Sequence, residues 1–202
     1  MNAKQTSFVA IMSSLGTVLS GLSLSLGPFL TAAGMGAAAL DLSHIATFIA
    51  AIFGGPYVGA LVGFLGGIYA GYYFGYVAGG LGLLSLIGMP LGKSLTGLLA
   101  GFLYKKMKAT NNSRSPILTI PLTLLSYVPE ALYTVAYFLF IVPLVYKFSM
   151  DFMIPLVMPK AWLEISVMSL IMATLTSRVS FREFASTFFQ VQQSGKAASS
   201  KT

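Results

Sequence analysis

Residues 55–79 read GPYVGALVGFLGGIYAGYYFGYVAG, with Gly55, Gly59, Gly63, Gly67, Gly71, Gly75 and Gly79 falling on every fourth position. The residues between them are almost all aliphatic or aromatic, and no charge interrupts the run. An apolar stretch of roughly 20 residues can cross a bilayer as a helix. Small residues at that spacing form one ridge, along which a second backbone can approach closely. The stretch therefore predicts a membrane-spanning helix packed tightly against a neighbour. Gly88/Gly92 and Gly97/Gly101 carry the pattern into the next apolar run. Internal packing is the plain expectation, and a small-residue face that receives a partner subunit is the alternative.

The rest of the chain agrees with that environment. Of 202 residues, 56% are hydrophobic and only 8% charged, against about 25% charged in soluble domains. The mean hydropathy is +0.83. The fold class expected is all-α, a polytopic membrane protein with six transmembrane helices. The spans are Phe8–Leu26, Leu40–Phe53, Tyr57–Ala78, Leu81–Tyr104, Ile117–Tyr146 and Ala161–Ser177. The second is short, and is either extended backward through Ala37–Ala39 or a half-span packed inside protein.

The net charge of +7 comes from bases scattered through loops. With the N-terminus inside, Lys4, Lys105, Lys106, Lys108, Arg114, Arg178, Arg182, Lys196 and Lys201 fall on one side, and Lys147 and Lys160 on the other. This positive-inside bias predicts both termini in the cytoplasm of a multi-pass cell-membrane protein. Residues 1–182 form one membrane domain in this reading, and 183–202, rich in Gln, Ser and Lys, a disordered tail. Residues 1–26 offer a signal peptide as an alternative, with Ala32 and Ala33 near its cleavage site. The sequon Asn111-Asn112-Ser113 falls in a loop expected to be cytoplasmic. Gly27–Leu40, apolar and rich in Gly and Ala, is a candidate lid.

Four charges stand where hydrocarbon should make them costly, by about 2.5–3.5 kcal/mol each at the bilayer centre. Lys93 lies midway along the fourth span and Glu130 midway along the fifth, directly after Pro129; Lys160 and Glu164 lie at the start of the sixth. Pro121, Pro129 and Pro143 interrupt the fifth span, freeing carbonyls that can add polarity beside Glu130. Two readings compete. One is a pair of internal ion pairs, Lys160 with Glu164 being a ready i,i+4 couple. The other is a solute pocket lined by these charges and by aromatic surfaces.

For the pocket, the candidate residues are Glu130, Lys160, Glu164 and Lys93, with Tyr127, Tyr133, Trp162 and His44 beside them. Tyr137 also flanks Glu130. Such a pocket suits a flat heterocycle. Tyr69, Tyr72, Tyr73 and Tyr76 crowd the end of the third span, as in an interfacial belt. Asp41 with His44 is too small a set for a transition-metal site, and capping or loop closure is the simpler role for it.

Other chemistries lack their parts. The chain has no cysteine, which excludes disulfides and thiolate chemistry. It contains no GxxxxGK[ST] loop for nucleotide phosphates and no HExxH or GxSxG motif. Five acids and one histidine leave little for catalysis. No enzyme activity, cofactor or metal is expected. A basic stripe with interleaved aromatics is missing too, so nucleic acid is not an expected partner.

Two stretches carry a family resemblance. DLSH (Asp41–His44) followed by FGGPYVGALVG (Phe53–Gly63) resembles the second-to-third-span signature of substrate-binding S components of energy-coupling factor importers. GKSLTGLLAG (Gly92–Gly101), followed by Lys105 and Lys106, is similar to their fourth span and its exit. The resemblance covers about residues 8–108. It implies a six-helix subunit without catalytic activity that binds a vitamin-like micronutrient. Its partners would be a transmembrane coupling protein and two cytoplasmic ATPases, with the subunit toppling in the membrane to deliver its ligand. It also implies a docking face on the first helix, where the family's Ala-xxx-Ala becomes Ala10 and Ser14 here. Nickel and cobalt members carry a histidine just after the first Met, where this chain has Asn2. The rival readings are an autonomous proton-coupled carrier or channel using Glu130, and an assembly protein built on the glycine ladder.

Overall fold

A computed structural model of the chain describes residues 1, 3–32, 41–107 and 115–186. Among these the chain is all-helical, without a strand. Helix α1 spans Ala3–Ala32, α2 Ser43–Gly54, α3 Pro56–Tyr72 and α4 Gly82–Met107. They are followed by α5 at Ser115–Ala136, α6 at Val142–Tyr146, α7 at Ile154–Ser177 and α8 at Val179–Ser186. Two π-helical segments extend this framework: Tyr73–Val77 prolongs α3, and Tyr137–Ile141 joins α5 to α6.

Five segments are long and apolar enough to cross a bilayer: Ala3–Leu26, Pro56–Val77, Gly82–Met107, Ile117–Tyr146 and Asp151–Ser177. That build is consistent with a multi-pass membrane protein. The last segment begins well before the expected Ala161, because Pro155 sits in the first turn of α7, where its missing N–H is harmless.

Helix α2 differs from the other five expected spans. Its 12 residues make a rod of about 18 Å at 1.5 Å per residue, against about 30 Å of hydrocarbon. Nine of its residues, from Ser43 to Ile52, are buried. It therefore has the form of a half-length helix enclosed by protein, where its free N-terminal N–H groups can find protein partners. Gly55, at φ 85°, takes a backbone conformation open to glycine and turns α2 directly into α3.

The glycine ladder packs inward. A Cβ added to Gly59 would lie 2.6 Å from the Gly97 carbonyl oxygen, one on Gly63 2.5 Å from that of Lys93, and one on Gly71 2.8 Å from that of Ser85. Successive rungs thus press α3 on the α4 backbone over most of its length. Gly66, on a neighbouring face, meets Gly16 of α1 in the same way. Where α4 ends in Lys105 and Lys106, the Tyr104 hydroxyl donates to the Thr119 carbonyl at 3.0 Å and lies 2.9 Å from Thr123 Oγ1. Thr119 and Thr176 hydroxyls meet at 3.1 Å, tying α5 to α7. Phe48, Val62, Ile165 and Met172 fill the core above these contacts.

Helix α8 begins before the stretch expected to be a disordered tail and runs to Ser186; its Phe181 ring meets Phe53 edge-on. Residues 187–202 and the sequon at 111–113 lie outside the described residues. The candidate lid at 27–40 begins as the last turns of α1, and residues 33–40 also lie outside them.

Candidate functional site

A cavity of about 350 Å³ opens among α1, α3, α4, α5 and α7, with the start of α2 at its floor. The floor is polar because α2 begins at mid-depth and brings Asp41, Ser43 and His44 level with the centres of α4 and α5. Lys93 of α4 is 5% exposed, and its ammonium donates to Asp41 Oδ2 at 2.6 Å and to Ser43 Oγ. Asp41 Oδ1 accepts the Ser43 N–H at 3.1 Å, closing the turn into α2.

At the second residue of α2, His44 Nε2 lies 3.0 Å from Glu130 Oε2 and 3.3 Å from Oε1. The Thr96 hydroxyl donates to the same Oε2. Glu164 of α7 accepts the Asp41 backbone N–H on Oε1 at 3.1 Å, and the Lys160 ammonium stands 3.6 Å from that oxygen. Four helices and the turn before α2 thus meet in two adjoining polar clusters, one around Lys93 and Asp41 and one around Glu130. Pro129 permits no N–H bond at its own position in α5, yet the helix continues through it.

Of the eight expected pocket residues, Glu130, Lys160, Glu164, Lys93, Tyr127, Tyr133 and His44 all line this cavity. Trp162 stands behind the wall, edge-on to the Tyr127 ring at 5.3 Å between centroids. Tyr127 in turn meets the His44 ring edge-on at 6.3 Å. Lys160 and Glu164 form the expected i,i+4 pair. Lys93 and Glu130 pair with Asp41 and His44 respectively, so the two residues read as loop-closing are members of the charged network.

Room for the α5 wall is made by α4 glycines. A Cβ on Gly92 would lie 3.3 Å from the Tyr133 ring and 3.4 Å from Glu130 Cγ, and one on Gly88 would lie 2.5 Å from the Tyr137 ring. Above the floor the walls are apolar, formed by Phe74, Tyr137, Phe138, Met150 and Met153. Phe74 and Tyr137 sit on the two π-helical segments, whose altered turn changes which side chains face inward. By contrast Tyr69, Tyr72 and Tyr76 are 37%, 50% and 55% exposed and do not line the cavity, as a lipid-interface belt requires.

Sequence reasoning missed Ser43 and Thr96 as network members. Thr96 had a faint signal: it stands at i+3 from Lys93 and so shares its helix face. Among the described residues no group of three His, Cys, Asp or Glu side chains is arranged to hold a metal ion. Ala10 and Ser14 lie together on the exposed face of α1, away from the cavity. No family model matches the chain, and neither does any curated protein or solved structure compared with it.

Proposed function

We propose that this chain is the substrate-capture subunit of an energy-coupling factor type importer in the cell membrane. It takes up a vitamin-like micronutrient on the side away from Lys105 and Lys106 and delivers it inward, with both termini cytoplasmic. Its partners in this reading are a transmembrane coupling protein and two cytoplasmic ATPases. The observation that carries the reading is the cavity of about 350 Å³ floored by charged groups at mid-helix depth. A volume of that order lies at the lower end of small-ligand sites, and buried charge in a membrane domain is retained chiefly for function. The chain has no nucleotide-binding loop of its own, so ATP-driven accumulation requires partners that hydrolyse ATP. The Asp41–His44 and Gly92–Gly101 motifs supply the family, and Ala10 with Ser14 the docking face.

Mass spectrometry of small molecules released from the protein purified in mild detergent tests the reading. A stoichiometric vitamin-like compound, together with ATPase subunits retained in the preparation, is the expected result. A preparation that holds no solute and never retains such partners overturns it.

The contact between His44 and Glu130 at 3.0 Å favours one second reading, a proton-coupled carrier that works alone. Uptake by proteoliposomes containing only this chain, driven by a pH gradient and abolished in Glu130→Gln, would establish that carrier in place of the importer subunit.

A further inference from the structure

The charged groups on the cavity floor are not equally available to a ligand. Lys93 is buried and its ammonium already serves Asp41 and Ser43. Asp41 is likewise occupied, one oxygen by Lys93 and the other by the Ser43 N–H. Both Glu130 oxygens face His44, and Oε2 also receives the Thr96 hydroxyl. Glu164 is different. Its Oε1 accepts the Asp41 N–H, while Oε2 has no hydrogen bond among the described residues, although the side chain is only 10% exposed. Among the described residues its ion-pair partner is Lys160, which stands 3.6 Å away with a side chain 38% exposed, beyond hydrogen-bond range.

The pairing points the same way. Asp41 is matched by Lys93 and Glu130 by His44, so Glu164 is the carboxylate whose Oε2 is left open. An anionic ligand could meet Lys160 only beside that carboxylate, or would have to draw Lys93 from Asp41 and leave a buried carboxylate unpaired. A cationic ligand satisfies Oε2 directly.

Tyr127, Tyr133 and Phe138 line the same cavity as Glu164. The cavity therefore offers a carboxylate oxygen at its floor and aromatic walls.

We infer that the solute is a flat aromatic or heteroaromatic cation, amidine-like or amino-heterocyclic, whose charged N–H edge faces Glu164 Oε2. Its ring lies among Tyr127, Tyr133 and Phe138. A delocalised planar cation suits such a site, because it presents N–H donors in the ring plane to a carboxylate and its faces to the aromatic walls. This inference rests on the solute-capture reading above and narrows it.

The chain carries its own reporter, since Trp162 is its single tryptophan and packs on the cavity-wall residue Tyr127. Full-length protein in mild detergent is titrated with benzamidine and with benzoate, flat ions of one shape and opposite charge, while Trp162 emission and the melting temperature are followed. Fragments of this size are expected to bind in the millimolar range, with benzamidine favoured at least about tenfold. In Glu164→Gln, which retains an oxygen acceptor for the Asp41 N–H, the preference should shrink to about threefold or less with the loss of the charge-assisted bond.

Benzoate binding as well as benzamidine overturns the cationic class and leaves the capture reading standing. A preference that survives intact in a folded Glu164→Gln protein overturns the role of Glu164. If neither ion alters emission or melting up to about 10 mM, a range that fragment-sized ligands reach, the cavity is no solute site, and the inference falls together with the reading beneath it.

Discussion

Lys93 places an ammonium in the middle of α4 with a side chain only 6% exposed, and its partner Asp41 keeps 27% of its own side chain in contact with the surroundings. Removing one member of a fully buried pair costs about 3–5 kcal/mol, and the partial exposure of Asp41 sets the expectation below that range. Lys93→Met should therefore lower the melting temperature in detergent clearly, whereas Lys93→Met with Asp41→Asn should recover part of the loss. A double variant as unstable as the single one would show that the charge pair is not the cause. At this scale the sequence displayed the charges but not their partners. Lys160 and Glu164 were legible because i,i+4 spacing forces them together. Asp41 and Lys93 are 52 residues apart, and no local rule connects them.

The pairing of α3 with α4 follows from backbone contact, and glycines on that seam should differ sharply from glycines beside it. A Cβ on Gly63 would lie 2.5 Å from the Lys93 carbonyl oxygen, with the next backbone atom at 2.9 Å, so the two helices would have to part. Gly63→Ala is expected to destabilise by about 1–3 kcal/mol, the range for overpacking a tight contact. On Gly21 of α1 the same atom would meet the Tyr69 ring at 3.5 Å, ordinary van der Waals contact. Gly21→Ala should be neutral or slightly stabilising, since alanine is the better helix former by up to about 1 kcal/mol. Thermal melts of the two variants side by side check this, and equal losses would contradict the seam. The ladder was readable because its period matches a helix ridge. The half-length of α2 was harder to read, because apolar residues on either side of it blur where a short buried helix starts. The π-helical segments gave no signal at all: Tyr73–Val77 and Tyr137–Ile141 look like any aromatic-rich stretch of a span, and only packing reveals the changed turn.

For the whole molecule, the question is whether the polar network serves a solute or only holds helices together, and whether α1 serves a partner. Glu130 belongs to a dense set of contacts with His44 and Thr96, while Lys160 is half-exposed and, among the described residues, is ion-paired with Glu164 alone. If the network were purely structural, Glu130→Ala and Lys160→Ala would lower expression and solute retention in the same proportion. In a capture subunit both variants should lose solute by a larger factor than they lose folded protein, as read from bound compound per mole of monodisperse protein. The partner question separates from this one because Ala10 is exposed on α1, whereas the neighbours Phe8 and Val9 are buried at 1% and 4%. A tryptophan at position 10 therefore projects from the bundle without entering its core, and Ala10→Trp should leave solute binding and melting unchanged. It should, however, block a close-packed small-residue contact, where one bulky side chain prevents the backbones from meeting. Co-purification with the coupling protein, measured beside solute retention in the same preparations, gives the decisive comparison. Lost association with retained solute assigns Ala10 and Ser14 to the docking face. Association that withstands the tryptophan places the partner on another face of the bundle, and loss of both properties would mean that α1 holds the fold rather than the complex.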